Sequence, residues 1–402
     1  MKKILFLTAS MGCGGVESTL INLLTALDKK KYKIDLMLIK KNGEFLNRVP
    51  KNINIKELEI NEIMRTLIYD YGNTIRNESK YLCEKKQYLT LIIFILFKLI
   101  NKISMFFLKR NFLYFIALKS INLAELKYDI VCDYHGYAYF TTYLAAAFDE
   151  TIDKYSWIHE ENINASYSCI KNKYNKFNAI FGVSKECINN FQQKFINFDR
   201  KKLIVLHNIV FADEIRRKAN QPVKTFYKEE NKPLLVSIGR LSVQKGFDLA
   251  VETANLLKDD GIDFKWIIVG DGEEKEKLNE LIDKYNLKKY LILHGFEQNP
   301  FPYLKQADIY IQPSRYEGYA TTITEAIILG KPIIATTFSG VREQVIPDFN
   351  GYIVDFDSHS LYDKLKNVIL SFSIQQKLGE GSKKFNLDLD NSIRILNELF
   401  NK

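Results

Sequence analysis

Short runs of apolar residues alternate with longer stretches of helical period along most of the chain. A short apolar run bounded by turn residues predicts a buried strand, and the helical stretch after it predicts a crossover to a parallel neighbour. The repeated alternation therefore predicts an α/β fold with parallel sheets. The predicted strands are Lys3–Thr8, Lys33–Leu38, Ile53–Leu58, Asp129–Asp133, Lys154–Ile158, Ala179–Val183, Leu203–Leu206, Leu234–Ile238, Lys265–Val269, Tyr290–Leu293, Ile309–Gln312, Pro332–Ala335 and Gly351–Val354.

The strands form two series, and a chain of 402 residues exceeds the usual size of one compact core. We therefore predict two domains, over residues 1–210 and 233–385. The polar stretch 211–232 has few aliphatic residues and is predicted to be the linker. A C-terminal helix over about residues 386–402 is expected to pack back onto the first domain.

Residues 62–127 interrupt the first series and are predicted to be helical. Their most apolar run, Tyr88–Phe97, ends at Lys98 and is too short for a membrane span, which needs about 20 residues. Residues 80–127 carry nine Lys and Arg against two Asp and Glu. The segment is therefore either a core helix with its lysines in solvent or a helix on an anionic membrane surface.

Charge is distributed unevenly between the two halves of the chain. Residues 1–202 carry 31 Lys and Arg against 20 Asp and Glu, and residues 203–402 carry 26 against 28. A basic half suits phosphates, anionic lipid or nucleic acid, and a solvated lysine-rich surface explains it equally well. The charge alone therefore selects no partner.

Cysteine content and the N-terminus favour a cytoplasmic protein. The five cysteines are odd in number and show no CxxC spacing, which is typical of reduced thiols. The apolar core Ile4–Ala9 is shorter than the roughly 7–15 residues of a secretory signal. The same residues are better interpreted as a first strand that enters a glycine loop.

Two glutamates flank a predicted turn after the strand Ile309–Gln312. Glu317 precedes the turn, and Glu325 lies in the helix that follows it. Because a helix N-terminus presents free backbone N–H groups, the turn is an anion site between two carboxylates. The alternative is that Glu317 caps the helix and Glu325 forms a surface ion pair.

Two cations follow the first strand of the second series. Arg240 and Lys245 lie after Leu234–Ile238, where the carboxyl edge of a parallel sheet holds ligands. There they could neutralise a diphosphate without a metal. Standing alone, they would instead be interpreted as surface residues.

Together these motifs resemble glycosyltransferase family 4, a retaining family. The resemblance implies the GT-B architecture, with two Rossmann-like domains facing each other across a deep cleft. It is dense from Pro233 to Val354 and sparser in the first half. The matching residues are Gly239-Arg240-Leu241, Lys245-Gly246, Val269-Gly270-Asp271-Gly272, His294-Gly295, Pro313-Ser314, Glu317 with Glu325, Gly330-Lys331-Pro332, Gly340-Val341-Arg342-Glu343 and Gly351, and in the first half Gly14-Gly15-Val16-Glu17, Trp157-Ile158-His159, Val183-Ser184 and Asn208.

The resemblance also implies roles for individual residues. Arg240 and Lys245 would bind the donor diphosphate, and Glu317 would stabilise positive charge at the anomeric carbon. Glu325 would bind the ribose, and Phe296 would lie near the base. The remaining implied site residues are Gly318, Tyr319, Ala320 and Thr321 at the turn, Gly14 and Gly15 at the phosphate and sugar, and His135, which would face the sugar; a lone histidine there would more often be structural.

One residue departs from the family pattern. Ala320 stands where the family commonly has glycine, and its methyl group is expected to narrow the choice of donor. The pairs Asp355 with Asp357 and Asp388 with Asp390 imitate a metal-binding spacing but lie outside the predicted crevice. We therefore expect no metal and no other cofactor.

These observations predict a retaining glycosyltransferase that uses a nucleotide-diphosphate sugar and a lipid-linked or oligosaccharide acceptor in bacterial surface polysaccharide synthesis. Trp157 and His159 are expected on the acceptor side, and no nucleic acid is expected as a partner. The enzyme would be cytoplasmic, with residues 80–127 at the inner face of the membrane as one alternative. A nucleotide-sugar epimerase and a non-catalytic nucleotide-sugar sensor remain rival interpretations.

Overall fold

The computed structural model describes residues 1–12, 14–69, 92, 95–97, 99–104, 111–136, 139–160, 170–223, 225, 227–229 and 232–401. The chain forms two compact units. Unit 1 comprises Met1–Val183, Ile188–Leu206 and Ile393–Lys402, and unit 2 comprises Ser184–Cys187 and His207–Ser392.

Unit 1 is built on a parallel sheet of seven strands in the order β3-β2-β1-β4-β5-β6-β7. The order reverses between β1 and β4, the kind of switch point at which α/β sheets bind ligands. The strands are β1 Lys2–Thr8, β2 Tyr32–Leu38, β3 Asn54–Glu57, β4 Ile130–Asp133, β5 Asp153–Ile158, β6 Ala179–Gly182 and β7 Leu203–Val205, and the helices up to the end of this sheet are α1 Gly15–Ala26, α2 Glu62–Tyr69, α3 Phe112–Lys119, α4 Phe140–Ala147, α5 Lys171–Tyr174 and α6 Lys185–Lys194.

Unit 2 is built on a parallel sheet of six strands in the order β10-β9-β8-β11-β12-β13. Its switch point lies between β8 and β11. The strands are β8 Leu234–Ile238, β9 Lys265–Val269, β10 Leu291–Gly295, β11 Ile309–Gln312, β12 Ile333–Thr336 and β13 Gly351–Val354, and the remaining helices of the chain are α7 Ala212–Ala219, α8 Phe247–Asp259, α9 Lys275–Lys284, α10 Phe301–Gln306, α11 Thr321–Ile328, α12 Val341–Gln344, α13 Ser358–Ile369, α14 Phe372–Lys384 and α15 Asn391–Phe400.

Each predicted strand is a strand in the structure, with its ends within two residues of the prediction. The agreement follows from burial on both faces, which makes a parallel strand a nearly continuous apolar run. In unit 2, Leu235 packs in one apolar cluster, while Leu234 and Val236 pack in another. The predicted α/β class, with two Rossmann-like units, is therefore confirmed.

The stretch predicted to be a linker contains helix α7, which packs against α10 and α11 of unit 2. Its buried residues are Ile215 and Ala219, and Asn299 Nδ2 donates a hydrogen bond to the Lys218 carbonyl at 3.0 Å. This stretch thus belongs to unit 2, whose main part runs from His207 to Ser392. The many charged residues of this short helix explain why the sequence suggested a linker.

The end of the chain packs in unit 1. Tyr32 Oη donates to the side-chain oxygens of Asn397 and Asn401 at 3.2 and 3.0 Å. The ring of Phe400 lies 6.0 Å from that of Tyr32 and 5.3 Å from that of Tyr155. These contacts hold α15 against Tyr32 of β2 and Tyr155 of β5.

The described part of segment 62–127 is mainly helical. Most of Tyr88–Phe97 lies outside the described residues. Among those that are described, a row of apolar side chains is 45–53% exposed, whereas Asn101 and Ser104 are buried. The exposed row consists of Ile92, Ile95, Leu96, Leu99, Ile100 and Ile103. Within the described part of the chain, no helix is both long enough and apolar enough to cross a bilayer.

Candidate active site

Glu317 lies in the loop that follows β11 and is 7% exposed. Its Oε1 accepts hydrogen bonds from Lys245 Nζ at 2.5 Å, Ser314 Oγ at 2.8 Å and Gln312 Nε2 at 3.3 Å. Burying a carboxylate is costly unless a cation and hydrogen-bond donors compensate it, and here one cation and two neutral donors do so. No donor among the described residues reaches Oε2, so that oxygen remains available to a ligand.

Lys245 meets Glu317 because two loops of unit 2 lie side by side. Arg315 N donates to the Gln244 carbonyl at 2.8 Å, and Gln244 Nε2 donates to the Tyr316 carbonyl at 3.0 Å. Gly246 has φ +65°, and a Cβ there would lie 2.0 Å from the Pro313 carbonyl oxygen. Only glycine allows this close approach.

Arg315 clamps the same two loops. Its guanidinium donates to both carboxylate oxygens of Asp248, at 2.9 and 2.5 Å, and to the Val243 carbonyl at 2.7 Å. Burial alone would raise the pKa of Asp248, but the Arg315 hydrogen bonds and charge outweigh burial and lower it. The sequence alone did not indicate this role of Arg315.

Arg240 is exposed and forms no ion pair with a described residue. It lies at the carboxyl end of β8, in the turn where Leu241 N donates to the Asp271 carbonyl at 3.0 Å. The structure therefore pairs one of the two predicted phosphate cations, Lys245, with Glu317 and leaves the other open to solvent. Both lie after the same strand, next to the switch point of the sheet.

Helix α11 presents free backbone donors at its start. The N–H groups of Thr321 and Thr322 have no acceptor in the described part of the chain. The N–H of Ala320, in contrast, donates to Gln344 Oε1 at 3.2 Å, and its methyl group packs in an apolar cluster. The methyl group thus packs in the core, and the expectation that it narrows the choice of donor stays a prediction.

Of the other predicted residues of unit 2, Gly318, Tyr319 and Glu325 belong to this turn and its helix, and Phe296 follows β10. Tyr319 stacks on His207 with ring centroids 4.7 Å apart, and burial raises its pKa to about 12. Gly318 precedes it, and Glu325 is half-buried in α11. Phe296 is 53% exposed just after β10, as an aromatic surface for a base would require.

His135 lies at the carboxyl end of β4 in unit 1. Its Nδ1 is buried and has no partner among the described residues. Burial lowers the pKa of His135 to about 4, so its imidazole is neutral at pH 7. The adjacent Gly136 has φ +66°, and a Cβ there would lie 1.9 Å from the Trp157 carbonyl oxygen.

His159 and Trp157 are buried in unit 1. His159 Nε2 lies 2.6 Å from the Tyr134 carbonyl and therefore donates to it, and burial lowers the pKa of His159 to about 4. Trp157 is 3% exposed, with its ring 4.6 Å from Phe181 and 5.1 Å from Tyr134. Its indole therefore fills the aromatic core, and the assignment of Trp157 to the acceptor side stays a prediction.

Gly14 and Gly15 lie at the start of α1, after β1. Gly14 is the extended residue before the helix, and a Cβ at Gly15 would meet nothing within 4 Å. The fold itself thus does not require glycine at position 15. A requirement there would have to come from a ligand, in line with the predicted place of Gly14 and Gly15 at the donor phosphate and sugar.

In the described part of the chain, no group of three or more His, Cys, Asp or Glu residues could hold a metal ion. Asp357 caps helix α13 by accepting from Ser360 N at 2.8 Å. Its spacing from Asp355 therefore has a structural explanation. The expectation that the reaction needs no metal stays a prediction.

Residues 221–385 match the family model described as glycosyl transferases group 1. An uncharacterized glycosyltransferase of Methanocaldococcus jannaschii is 33% identical over 187 residues, which cover 45% of this chain and 46% of that protein. The N-acetylgalactosamine-N,N'-diacetylbacillosaminyl-diphospho-undecaprenol 4-alpha-N-acetylgalactosaminyltransferase of Campylobacter jejuni is 28% identical over 198 residues, which cover 49% of this chain and 52% of that protein. The chain thus spans about half the length of these curated relatives.

The crystal structure of Anabaena HepE in complex with UDP and glucose resembles the whole chain. Its TM-score is 0.72 at 16% sequence identity, with 100% of both chains covered. At this identity the similarity establishes the fold alone. The fold is that of GT-B glycosyltransferases, with two Rossmann-like units.

Proposed function

We propose that the protein is a retaining glycosyltransferase that moves a sugar from a nucleotide-diphosphate donor to a saccharide acceptor. The observation that carries the proposal is the Lys245–Glu317 pair, which Gln312 links to Thr322 in the first turn of α11. These groups belong to the segment that matches the glycosyl transferases group 1 model. The relatives named above are glycosyltransferases, and the Anabaena structure contains UDP.

The donor diphosphate would bind at the switch point of unit 2. Lys245 and Arg240 supply positive charge, and the N–H groups of Thr321 and Thr322 supply donors at a positive helix end. This arrangement can absorb the charge that develops on a leaving diphosphate. Lys245 would then be shared between a phosphate oxygen and the Glu317 carboxylate.

Glu317 would act on the sugar through Oε2. Its negative charge would stabilise the positive charge that develops at the anomeric carbon as the bond to the diphosphate breaks. In a front-face displacement, the acceptor oxygen bonds to the anomeric carbon on the face that the diphosphate leaves. The acceptor's proton passes to a diphosphate oxygen, so that no protein base is needed.

The acceptor would be a lipid-linked saccharide for surface polysaccharide synthesis, at the cytoplasmic face of a membrane. The Campylobacter relative is named for a diphospho-undecaprenol saccharide. The exposed row from Ile92 to Ile103 follows a helical spacing of three and four residues, so it forms one apolar face. Lysines and arginines dominate the surrounding sequence, which suits anionic lipid.

A donor panel tests the proposed function. Purified protein is mixed with UDP-, GDP- and ADP-sugars, and we follow both the melting temperature and the fate of the sugar. A transferase is stabilised by one nucleotide class and releases or transfers the sugar. An epimerase instead returns a new nucleotide sugar, and a sensor is stabilised without turnover. Either of these outcomes contradicts the proposal.

A further inference from the structure

Gln312 is a polar residue at the end of a strand that otherwise contains isoleucine and tyrosine, and it is 1% exposed. Its Oε1 accepts from Tyr310 Oη and from Thr322 Oγ1, the latter at 2.8 Å. Its Nε2 donates to Ser314 Oγ at 2.7 Å and to Glu317 Oε1 at 3.3 Å. A side-chain amide offers two acceptor positions and two N–H donors, so all four are used.

The Glu317 carboxylate fixes the direction of these hydrogen bonds. An ionised Glu317 can only accept, so the NH₂ group of Gln312 must face it. The Gln312 oxygen must then face Tyr310 and Thr322, whose hydroxyls donate. Ser314 Oγ accepts from Gln312 and donates to Glu317. The network therefore has one arrangement, and every donor chain in it ends at Glu317 Oε1.

Gln312 also joins two parts of the candidate site. Thr322 lies in the first turn of α11, whose free N–H groups would bind phosphate, whereas Glu317 would act on the sugar. A single amide contacts both. We infer that Gln312 is the positioning residue of this site: it holds Glu317 Oε1 in place, so that Oε2 faces the anomeric carbon. This inference rests on the proposed function and deepens it.

Gln344 provides a matched control on the same turn. It is fully buried, its Oε1 accepts from Ala320 N at 3.2 Å, and its Nε2 donates to the Ala320 carbonyl at 2.8 Å and to Thr324 Oγ1 at 2.9 Å. It therefore supports the turn as extensively as Gln312 does, but it has no bond to Glu317. Replacing either glutamine by methionine removes buried hydrogen bonds at nearly constant volume.

The experiment compares Gln312→Met with Gln344→Met. We measure the melting temperature, the Kd of the nucleoside diphosphate that stabilises wild type most, and kcat and KM for the corresponding donor. Gln312→Met should lower kcat about 10- to 100-fold, the effect of one lost bond to a charged group, and change the nucleotide Kd less than about threefold. Gln344→Met should lower the melting temperature similarly, with a smaller loss of kcat.

Equal losses of kcat in the two variants at equal melting temperature would reduce Gln312 to a structural residue. If Gln312→Met does not fold, Ser314→Ala replaces it, since it removes a single donor to Glu317 Oε1. That variant should also lower kcat at unchanged nucleotide Kd, and an unchanged kcat overturns the inference. If wild type transfers sugar from no donor, the proposed function fails and the inference fails with it.

Discussion

In unit 2 the buried polar groups around Glu317 are paired with one another, whereas unit 1 keeps unpaired polar atoms at the corresponding edge of its sheet. Gln312, Ser314 and Lys245 all meet Glu317. In unit 1, His135 Nδ1 and Thr8 Oγ1 are buried without a partner among the described residues. A buried polar atom left unpaired costs about 1–3 kcal/mol. The cluster around Glu317 is thus organised before a ligand binds, whereas these two atoms of unit 1, like Ser339 Oγ in unit 2, are expected to need a ligand or water as a partner.

Removing the two cations of unit 2 should cause the largest loss of activity. Lys245→Ala and Arg240→Ala should each lower kcat/KM by about 10- to 150-fold, because a charge-assisted phosphate contact contributes about 1.5–3 kcal/mol. The double variant should lose nearly all turnover. Steady-state kinetics measures the loss, and circular dichroism should show that the variants stay folded, since Ser314 and Gln312 still bind Glu317. Unchanged kinetics in both single variants would reject the donor-site assignment.

Replacing each of the two glutamates should change a different kinetic parameter. Glu317→Ala should lower kcat by about 100-fold, because its contact strengthens as charge develops in the transition state. Glu325→Ala should raise the donor KM about fivefold, because a ribose contact is similar in the ground and transition states. Initial rates over a donor series distinguish the two effects. A reversed pattern would mean that the assigned roles are exchanged.

Acid should weaken unit 1 through its buried histidines. His135 and His159 have pKa values of about 4 in the folded protein, below about 6.5 in the unfolded chain. The unfolded state therefore binds more protons below pH 6.5, and stability is lost as the pH falls from 6.5 to 4. The slope should reach about 1.4 kcal/mol per pH unit for each histidine.

Urea unfolding at several pH values measures this slope. In a Trp266→Phe background, Trp157 is the remaining tryptophan and reports on unit 1. His159→Gln should remove about half of this slope, because one of the two histidines with a lowered pKa is then gone. An unfolding free energy that does not change between pH 6.5 and 4 would contradict the burial of neutral histidines in unit 1.

The exposed apolar face of unit 1 predicts a smaller and salt-sensitive effect. Wild type should float with anionic liposomes and less so at high salt, since each cation near the surface contributes about 1 kcal/mol. Changing Lys98, Lys102, Lys109 and Arg110 together to Gln should reduce flotation. A second variant with Ile95, Leu99 and Ile103 changed to Ser should reduce it at all salt concentrations. Equal flotation of wild type and variants, or no flotation of any of them, would mean that this apolar face does not bind membrane.

Some features of the molecule could be predicted from the sequence. The predicted strands agree with the structure because each is an apolar run. That Lys245 and Glu317 belong to one site could be anticipated because both follow strands at a switch point. Contacts between distant polar residues, such as Gln344 with Ala320, depend on side-chain direction, which spacing does not encode. A glutamine ending the apolar strand Ile309–Gln312 was the available signal, since a buried amide requires partners. The burial of the Trp157 indole was likewise not predictable, because a strand residue near a site can equally face the core.

Transfer with retention at the Glu317 site can be tested by the anomeric configuration of the released sugar. Slow hydrolysis of an α-linked donor by purified protein can be followed by proton NMR, before the free sugar mutarotates. The α-anomer should appear first, and Glu317→Ala should release it far more slowly. A first product in the β configuration would contradict the proposed mechanism.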